Sequence, residues 1–170
     1  LTENLKRLNT LAEDVAESEF LKCCGSTLWA RRMVRERPFH DVQELLSKAD
    51  AVWWSLDAED WLEAFSRHPK IGEKESARVQ AHDAQRWSEQ EQAGTTSADE
   101  ETRLALTEAN HEYQKKFGHI YIICATGKSA DEMLSICKER LQNDADKELR
   151  VAAEEQRKIT HLRLGKLLEA

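Results

Sequence analysis

Three places in the 170-residue chain put polar chemistry where an apolar helical pattern should run. The first is His68, in the pentapeptide HPKIG. Pro69 biases the residue before it away from the helical region, so His68 falls where a helix ends. A histidine there either caps the helix C-terminus with its charge or serves as a general acid or base, because imidazole titrates near neutral pH. The second place is SEQEQAG, Ser88 to Gly94. Ser88 and Glu91 are three residues apart, so a helix presents them together, with Gln92 adjacent. The run reads either as a solvated helix end or as donors and acceptors for a ligand with several amide or carboxylate groups. The third is Arg163, whose neighbours Ile159, Leu162, Leu164 and Leu167 are all apolar. A guanidinium on that stripe must reach out to water, meet a carboxylate, or hold an anion with its planar fork.

Other chemistries fail on spacing. His111-Glu112 opens an H-E-x-x-H pattern, but Lys115 stands where the second metal histidine belongs. There is no Walker loop, G-x-G-x-x-G or G-x-S-x-G, and the histidines and cysteines make no zinc pattern. A site without metal or organic cofactor is the economical expectation. Cys23, Cys24, Cys124 and Cys137 contain no C-x-x-C and suggest reduced, mostly buried thiols of an intracellular protein.

The elements that must position these residues are helical in period. Leu1, Leu5, Leu8, Leu11 and Val15 form one stripe at three- and four-residue steps. A second segment, Phe20 to Met33, is interrupted at Gly25; Asp41 can cap a third through Val52 and Trp53; and Asp57 heads a short one ending at His68-Pro69. A polar segment after Gly72 is read as helical to Gln92 and closed by Ala93-Gly94. Ser97 with Glu100, and Ser129 with Glu132, have capping-box spacing, and Gly118 fits the left-handed residue that ends a helix. HIYIICA, residues 119–125, is the only strand-like run; with no partner strand it is read as helix. The last helix runs from about Asp146 to Leu168. The expectation is an all-α, single-domain bundle of about seven to nine helices over residues 1–170.

Composition narrows the function classes. Asp and Glu number 32 against 25 Lys and Arg, a formal charge of −7, which disfavours nonspecific binding to nucleic acid or anionic membrane. No apolar run approaches the roughly 18 residues of a membrane span. The polar start, LTENLKRLNT, lacks the apolar region of a secretory signal, and the first residue is Leu1, so the native start is expected upstream.

Together, WLEAFSRHPKIG, the run Ser88-Glu89-Gln90-Glu91-Gln92, KKFGHIYIICATG and KITHLRLGKL, in this order, resemble the OHCU (2-oxo-4-hydroxy-4-carboxy-5-ureidoimidazoline) decarboxylases of urate breakdown. The resemblance runs from about Phe20 to Leu168. It implies an all-α, usually homodimeric enzyme that uses no metal or organic cofactor and converts its ureidoimidazoline substrate into (S)-allantoin and carbon dioxide. By motif, His68 would be the catalytic acid or base, with Pro69 touching the substrate. Ser88, Glu89, Gln90 and Gln92 would line the site, and Glu91 would pair with His68 or the ureido nitrogens. The backbone of Tyr121, Ile122, Ile123, Cys124 and Ala125 would hydrogen-bond the ring and ureido amides, and Arg163 would bind a carboxylate or ring carbonyl. Two departures from the family pattern stand out: a longer interval between His68 and Ser88, taken up around Glu73 to Ser76, and His119-Ile120 where many members have Phe-Pro or Phe-Ile. A cytoplasmic location is expected, or peroxisomal in a eukaryote, although the chain ends Leu-Leu-Glu-Ala without an SKL-type signal.

Two other readings fit the same residues. One is a helical protein–protein interaction module with Trp53, Trp54 and Trp61 as its anchor surface; adjacent Trp53 and Trp54 cannot face one core, so one is available to a subunit interface. The other is a different lyase or hydrolase acting on a ureide or hydantoin. Convergence of the polar residues on one closed pocket favours an enzyme; scattered positions favour the module.

Overall fold

A computed structural model describes residues 2–71, 82–96 and 99–169. Helices start where a short polar side chain can cap them. In chain order they are α1 (Glu3–Thr10), α2 (Glu13–Cys23), α3 (Thr27–Arg35), α4 (Val42–Trp54), α5 (Ala58–Ser66), α6 (His82–Glu91), α7 (Ala93–Thr96), α8 (Glu100–Phe117), α9 (Ala130–Arg140) and α10 (Ala145–Glu169). Nine have eight residues or more, α7 has four, and no strand forms among the described residues, so the class is all-α as expected. The chain divides into two compact units, Leu1–Ala64 with Arg157–Ala170, and Phe65–Gln156.

In the first unit the stripe from Leu1 to Val15 is two helices rather than one. α1 stops at Thr10, Leu11 is extended, and Val15 is 43 % exposed while Leu5 and Leu8 are buried. The break has a long-range cause: Arg37 Nη1 donates to the Leu8 and Leu11 carbonyls at 2.9 and 2.7 Å, satisfying acceptors that continued helix would otherwise have used. Gly25 separates α2 from α3, as anticipated, and the Ser26 hydroxyl caps α3 by accepting from the Trp29 N–H. Asp41 caps α4. Phe20 meets Trp29 and Phe39 edge to face, at ring-centroid distances of 5.8 and 6.3 Å, in the middle of this core. Trp53 is buried and Trp54 is 42 % exposed, the division expected of adjacent residues on a helix.

In the second unit α8 starts from an Asp99 cap that accepts from the Thr102 N–H; the Ser97 cap and the interval around Glu73 to Ser76 lie outside the described residues. Gly118 ends α8 at φ 80°. Gly94 does not close a helix but sits inside α7, where an added Cβ would stand 2.2 Å from the Lys128 carbonyl oxygen. Only a residue without a side chain allows that approach. Ser129 caps α9 through the Glu132 N–H.

The helical reading of HIYIICA is overturned: residues 120–125 are neither helix nor strand. Their side chains alternate, with Tyr121, Ile123 and Ala125 packing into a core of Leu106, Tyr113, Met133 and Cys137. Buried backbone outside a regular element needs other hydrogen-bond partners, and side chains supply them. Arg140 Nη1 donates to the Ile122 carbonyl at 2.7 Å, Glu155 Oε1 accepts from the Cys124 N–H at 3.2 Å, and Lys128 Nζ donates to the Cys124 carbonyl at 2.8 Å. Glu148 neutralises Arg140 with Nη2···Oε2 at 2.8 Å and accepts from the Tyr113 hydroxyl at 2.6 Å. Burial works against the Arg140 charge, but the bond and charge of Glu148 win and hold its pKa above the ordinary guanidinium value.

Candidate functional site

The end of α5 delivers His68. The helix stops at Ser66, the His68 N–H still donates to the Phe65 carbonyl at 3.2 Å, and Pro69 prevents any continuation. The half-buried imidazole turns to α10, where its Nε2 lies 2.6 Å from the amide oxygen of Gln156. Gln156 is completely buried. The preceding residue, Glu155, is the one that accepts from the Cys124 N–H. One turn of α10 therefore holds both the histidine and the extended segment.

α6 presents its polar residues unequally. Ser88 and Glu91 are 4 % and 8 % exposed, Gln92 is half-buried, and Glu89 and Gln90 face solvent. The three-residue spacing does what a helix requires of it, turning Ser88 and Glu91 inward beside buried Trp87. A merely solvated helix end does not bury these two. Burial pushes the Cys124 thiol above its usual pKa; the Lys128 ammonium opposes this, and the negative charges of Glu155 and Glu91 reinforce it. Glu91 thus acts electrostatically on the same segment that Glu155 touches. A thiol held protonated in this way is no nucleophile at neutral pH.

The extended segment has two edges. The Ile122 carbonyl and both backbone groups of Cys124 are taken by Arg140, Glu155 and Lys128. Among the described residues the backbone N–H and C=O of Ile123 make no hydrogen bond, although Ile123 is buried. In extended chain they point opposite to those of its neighbours. A donor and an acceptor side by side suit a ring or ureido amide.

Arg163 belongs to the first unit, where it is only 4 % exposed and does not reach out to water. Its Nη1 donates to the Lys22 carbonyl at 3.1 Å, in the last turn of α2, where a cation is favoured. Cys23 and Cys24 sit within its field; burial raises both thiols, Cys24 to about 12, and the Arg163 charge opposes the shift. All four cysteines are buried and free. Among the described residues no group of His, Cys, Asp and Glu is placed to hold a metal ion.

Sequence reasoning did not single out Glu155 or Gln156. The signal was the one that exposed Arg163: two polar residues on a helix stripe carrying buried Ala152, Ala153 and Ile159.

Comparison with known proteins agrees with the motif resemblance. A family model described as OHCU decarboxylase matches residues 9–165. The chain is 44 % identical over 160 residues to the uric acid degradation bifunctional protein TTL of Arabidopsis thaliana, covering 92 % of this chain and 48 % of that protein. It is 33 % identical over 171 residues to the 2-oxo-4-hydroxy-4-carboxy-5-ureidoimidazoline decarboxylase of Amia calva, covering 98 % of this chain and 95 % of that one. A crystal structure of OHCU decarboxylase in the presence of (S)-allantoin matches with a TM-score of 0.78 at 38 % identity, covering 90 % of this chain and 99 % of that chain. The chain belongs to the OHCU decarboxylase family. It spans about half the length of the Arabidopsis protein and 32 % of a bifunctional relative from Bacillus sp. (strain TB-90).

Proposed function

We propose that this chain decarboxylates 2-oxo-4-hydroxy-4-carboxy-5-ureidoimidazoline to (S)-allantoin and carbon dioxide in urate breakdown, without metal or organic cofactor. The observation that carries the reading is the convergence of His68 and the Tyr121–Ala125 segment on consecutive residues of α10, with the charge of Glu91 acting on that segment. The relative solved in the presence of (S)-allantoin adds support.

The substrate supplies its own electron sink. When the bond from the ring carbon to its carboxylate breaks, its electron pair forms a double bond to the ureido-bearing carbon, while the pair of the adjacent C=N bond moves to the ring nitrogen, which takes a proton from solvent. The resulting enol hydroxyl then gives up its proton and becomes a carbonyl. One proton must then reach the ring carbon bearing the ureido group, from one face only. His68 is assigned the proton transfers, removing the hydroxyl proton and protonating the ring carbon. A positioned acid or base typically contributes about 10²–10⁴-fold, and fixed donors add to it. Pro69, Ser88, Glu91 and Gln92 form the wall around the reacting ring. Glu89 and Gln90, whose side chains face solvent, contribute through their backbone. The Ile123 N–H and C=O read the ring or ureido amide, with Tyr121, Ile122, Cys124 and Ala125 holding that edge in place. Arg163 takes the carboxylate or a ring carbonyl. The working form is a homodimer in the cytoplasm; among the described residues no helix is long and apolar enough to cross a membrane.

The test is to generate the substrate from urate with the two upstream activities and follow circular dichroism. Formation of (S)-allantoin faster than spontaneous racemic decay is expected. Decay at the uncatalysed rate, to racemate, overturns the proposal.

A further inference from the structure

We infer that Gln156 is a positioning residue that fixes the tautomer of His68, keeping the hydrogen on Nε2 and the lone pair on Nδ1. The inference rests on the decarboxylase reading for its consequence and on geometry for its substance. The Nε2–Oε1 separation is 2.6 Å, short for a bond between two neutral groups. An amide oxygen only accepts, so the ring nitrogen facing it must carry the hydrogen. In a neutral imidazole the other nitrogen is then the base.

Gln156 is well suited to enforce this. It is wholly buried, and no buried side-chain nitrogen or oxygen among the described residues lacks a hydrogen-bond partner. Turning the amide over would exchange donor for acceptor at both of its ends, at the cost that buried polar groups incur when mismatched. The amide also lies on α10, next to the Glu155 that grips Cys124. The angle of the imidazole is thereby tied to the segment that reads the substrate. An amide differs from a carboxylate in one respect: it orients the ring without placing a formal negative charge beside it. The resemblance gave Glu91 to His68 or to the ureido nitrogens; the geometry adds Gln156 as a partner of the imidazole.

The test is ¹⁵N NMR of the histidine rings in the substrate-free protein, paired with steady-state kinetics of Gln156→Leu and Gln156→Glu. The wild-type His68 signals should show a protonated Nε2 and an unprotonated Nδ1 when the ring is neutral. Gln156→Leu should mix the tautomers and lower kcat by roughly 10- to 100-fold, part of the 10²–10⁴-fold worth of a positioned base, with KM changed less than about threefold. Gln156→Glu, which keeps an acceptor, should restore the Nε2–H signature. A wild-type hydrogen on Nδ1, or a Gln156→Leu protein with unchanged ring signals and kcat, overturns the inference. The NMR readout needs no turnover, so it separates failure here from failure of the decarboxylase reading, which His68→Asn retaining full activity would reveal.

Discussion

In the first unit the buried surface around Phe20, Trp29 and Phe39 is aromatic and aliphatic, and the polar groups near it finish helices or, as Asn9 does with both backbone groups of Phe39, pin a single residue between them. Arg37 closes α1 through the Leu8 and Leu11 carbonyls, Glu63 accepts from the Thr27 N–H and hydroxyl at the start of α3, and Arg163 donates to the last turn of α2. In the second unit the buried polar groups are aimed at backbone that belongs to no element. Arg140, Glu148, Glu155 and Lys128 together hold residues 120–125 extended. The difference shows where irregular structure is affordable: a helix satisfies its own interior, whereas an extended single segment inside a core must draw partners for its hidden backbone groups from side chains elsewhere in the fold. Such a segment can also leave one edge to a ligand, the role proposed for Ile123.

Substitutions test this difference between the two units. His68→Asn should have the largest effect, lowering (S)-allantoin formation by about 10²–10⁴-fold while urea denaturation stays near wild type; near-wild-type activity removes His68 from the chemistry. Arg140→Met leaves the buried Glu148 unpaired and the Ile122 carbonyl without its donor, and should cost about 3–5 kcal/mol in denaturant titration. Adding Glu148→Leu should recover part of that loss but not activity, because the Ile122 carbonyl stays orphaned. Phe20→Ala should cost a similar 3–5 kcal/mol by leaving a cavity, yet no second polar change would offset it. If the Arg140 variant instead kept both stability and activity, the second unit would not depend on its polar scaffold.

Arg163→Met should raise KM about tenfold, equivalent to ~1.4 kcal/mol of binding, with roughly 1 kcal/mol lost in stability for the Lys22 carbonyl bond. A stability loss with unchanged KM would make Arg163 only another helix-closing residue like Arg37. The smallest effect concerns His119, which packs among Phe65, Tyr113 and Phe117 and whose pKa burial lowers. Below the unfolded value near 6.5 the unfolded chain binds the proton first, so stability is full above that pH and declines as pH falls toward the lowered folded value. His119→Phe should flatten the dependence of Tm on pH between about 7 and 5, read by thermal melts; an unchanged slope would locate the dependence elsewhere.

What the sequence determined by itself is what short-range physics determines. Asp41, Ser129 and Gly118 act on backbone three or four residues away, and the helix ends they imply are where the structure has them. The proline after His68 and the three-residue spacing of Ser88 and Glu91 likewise acted locally, and the polar residues they marked are half-buried or buried. Tertiary structure decided the rest. The break after Thr10 depends on Arg37, 29 and 26 residues beyond the carbonyls it takes. The segment 120–125 is extended because Arg140 and Glu155, 18 and 31 residues away, meet its backbone. His68 finds Gln156 across 88 residues. Period and capping describe a residue's nearest turns; a side chain that replaces a backbone partner from a distant helix leaves no mark at that spacing, and only the folded chain brings it into reach.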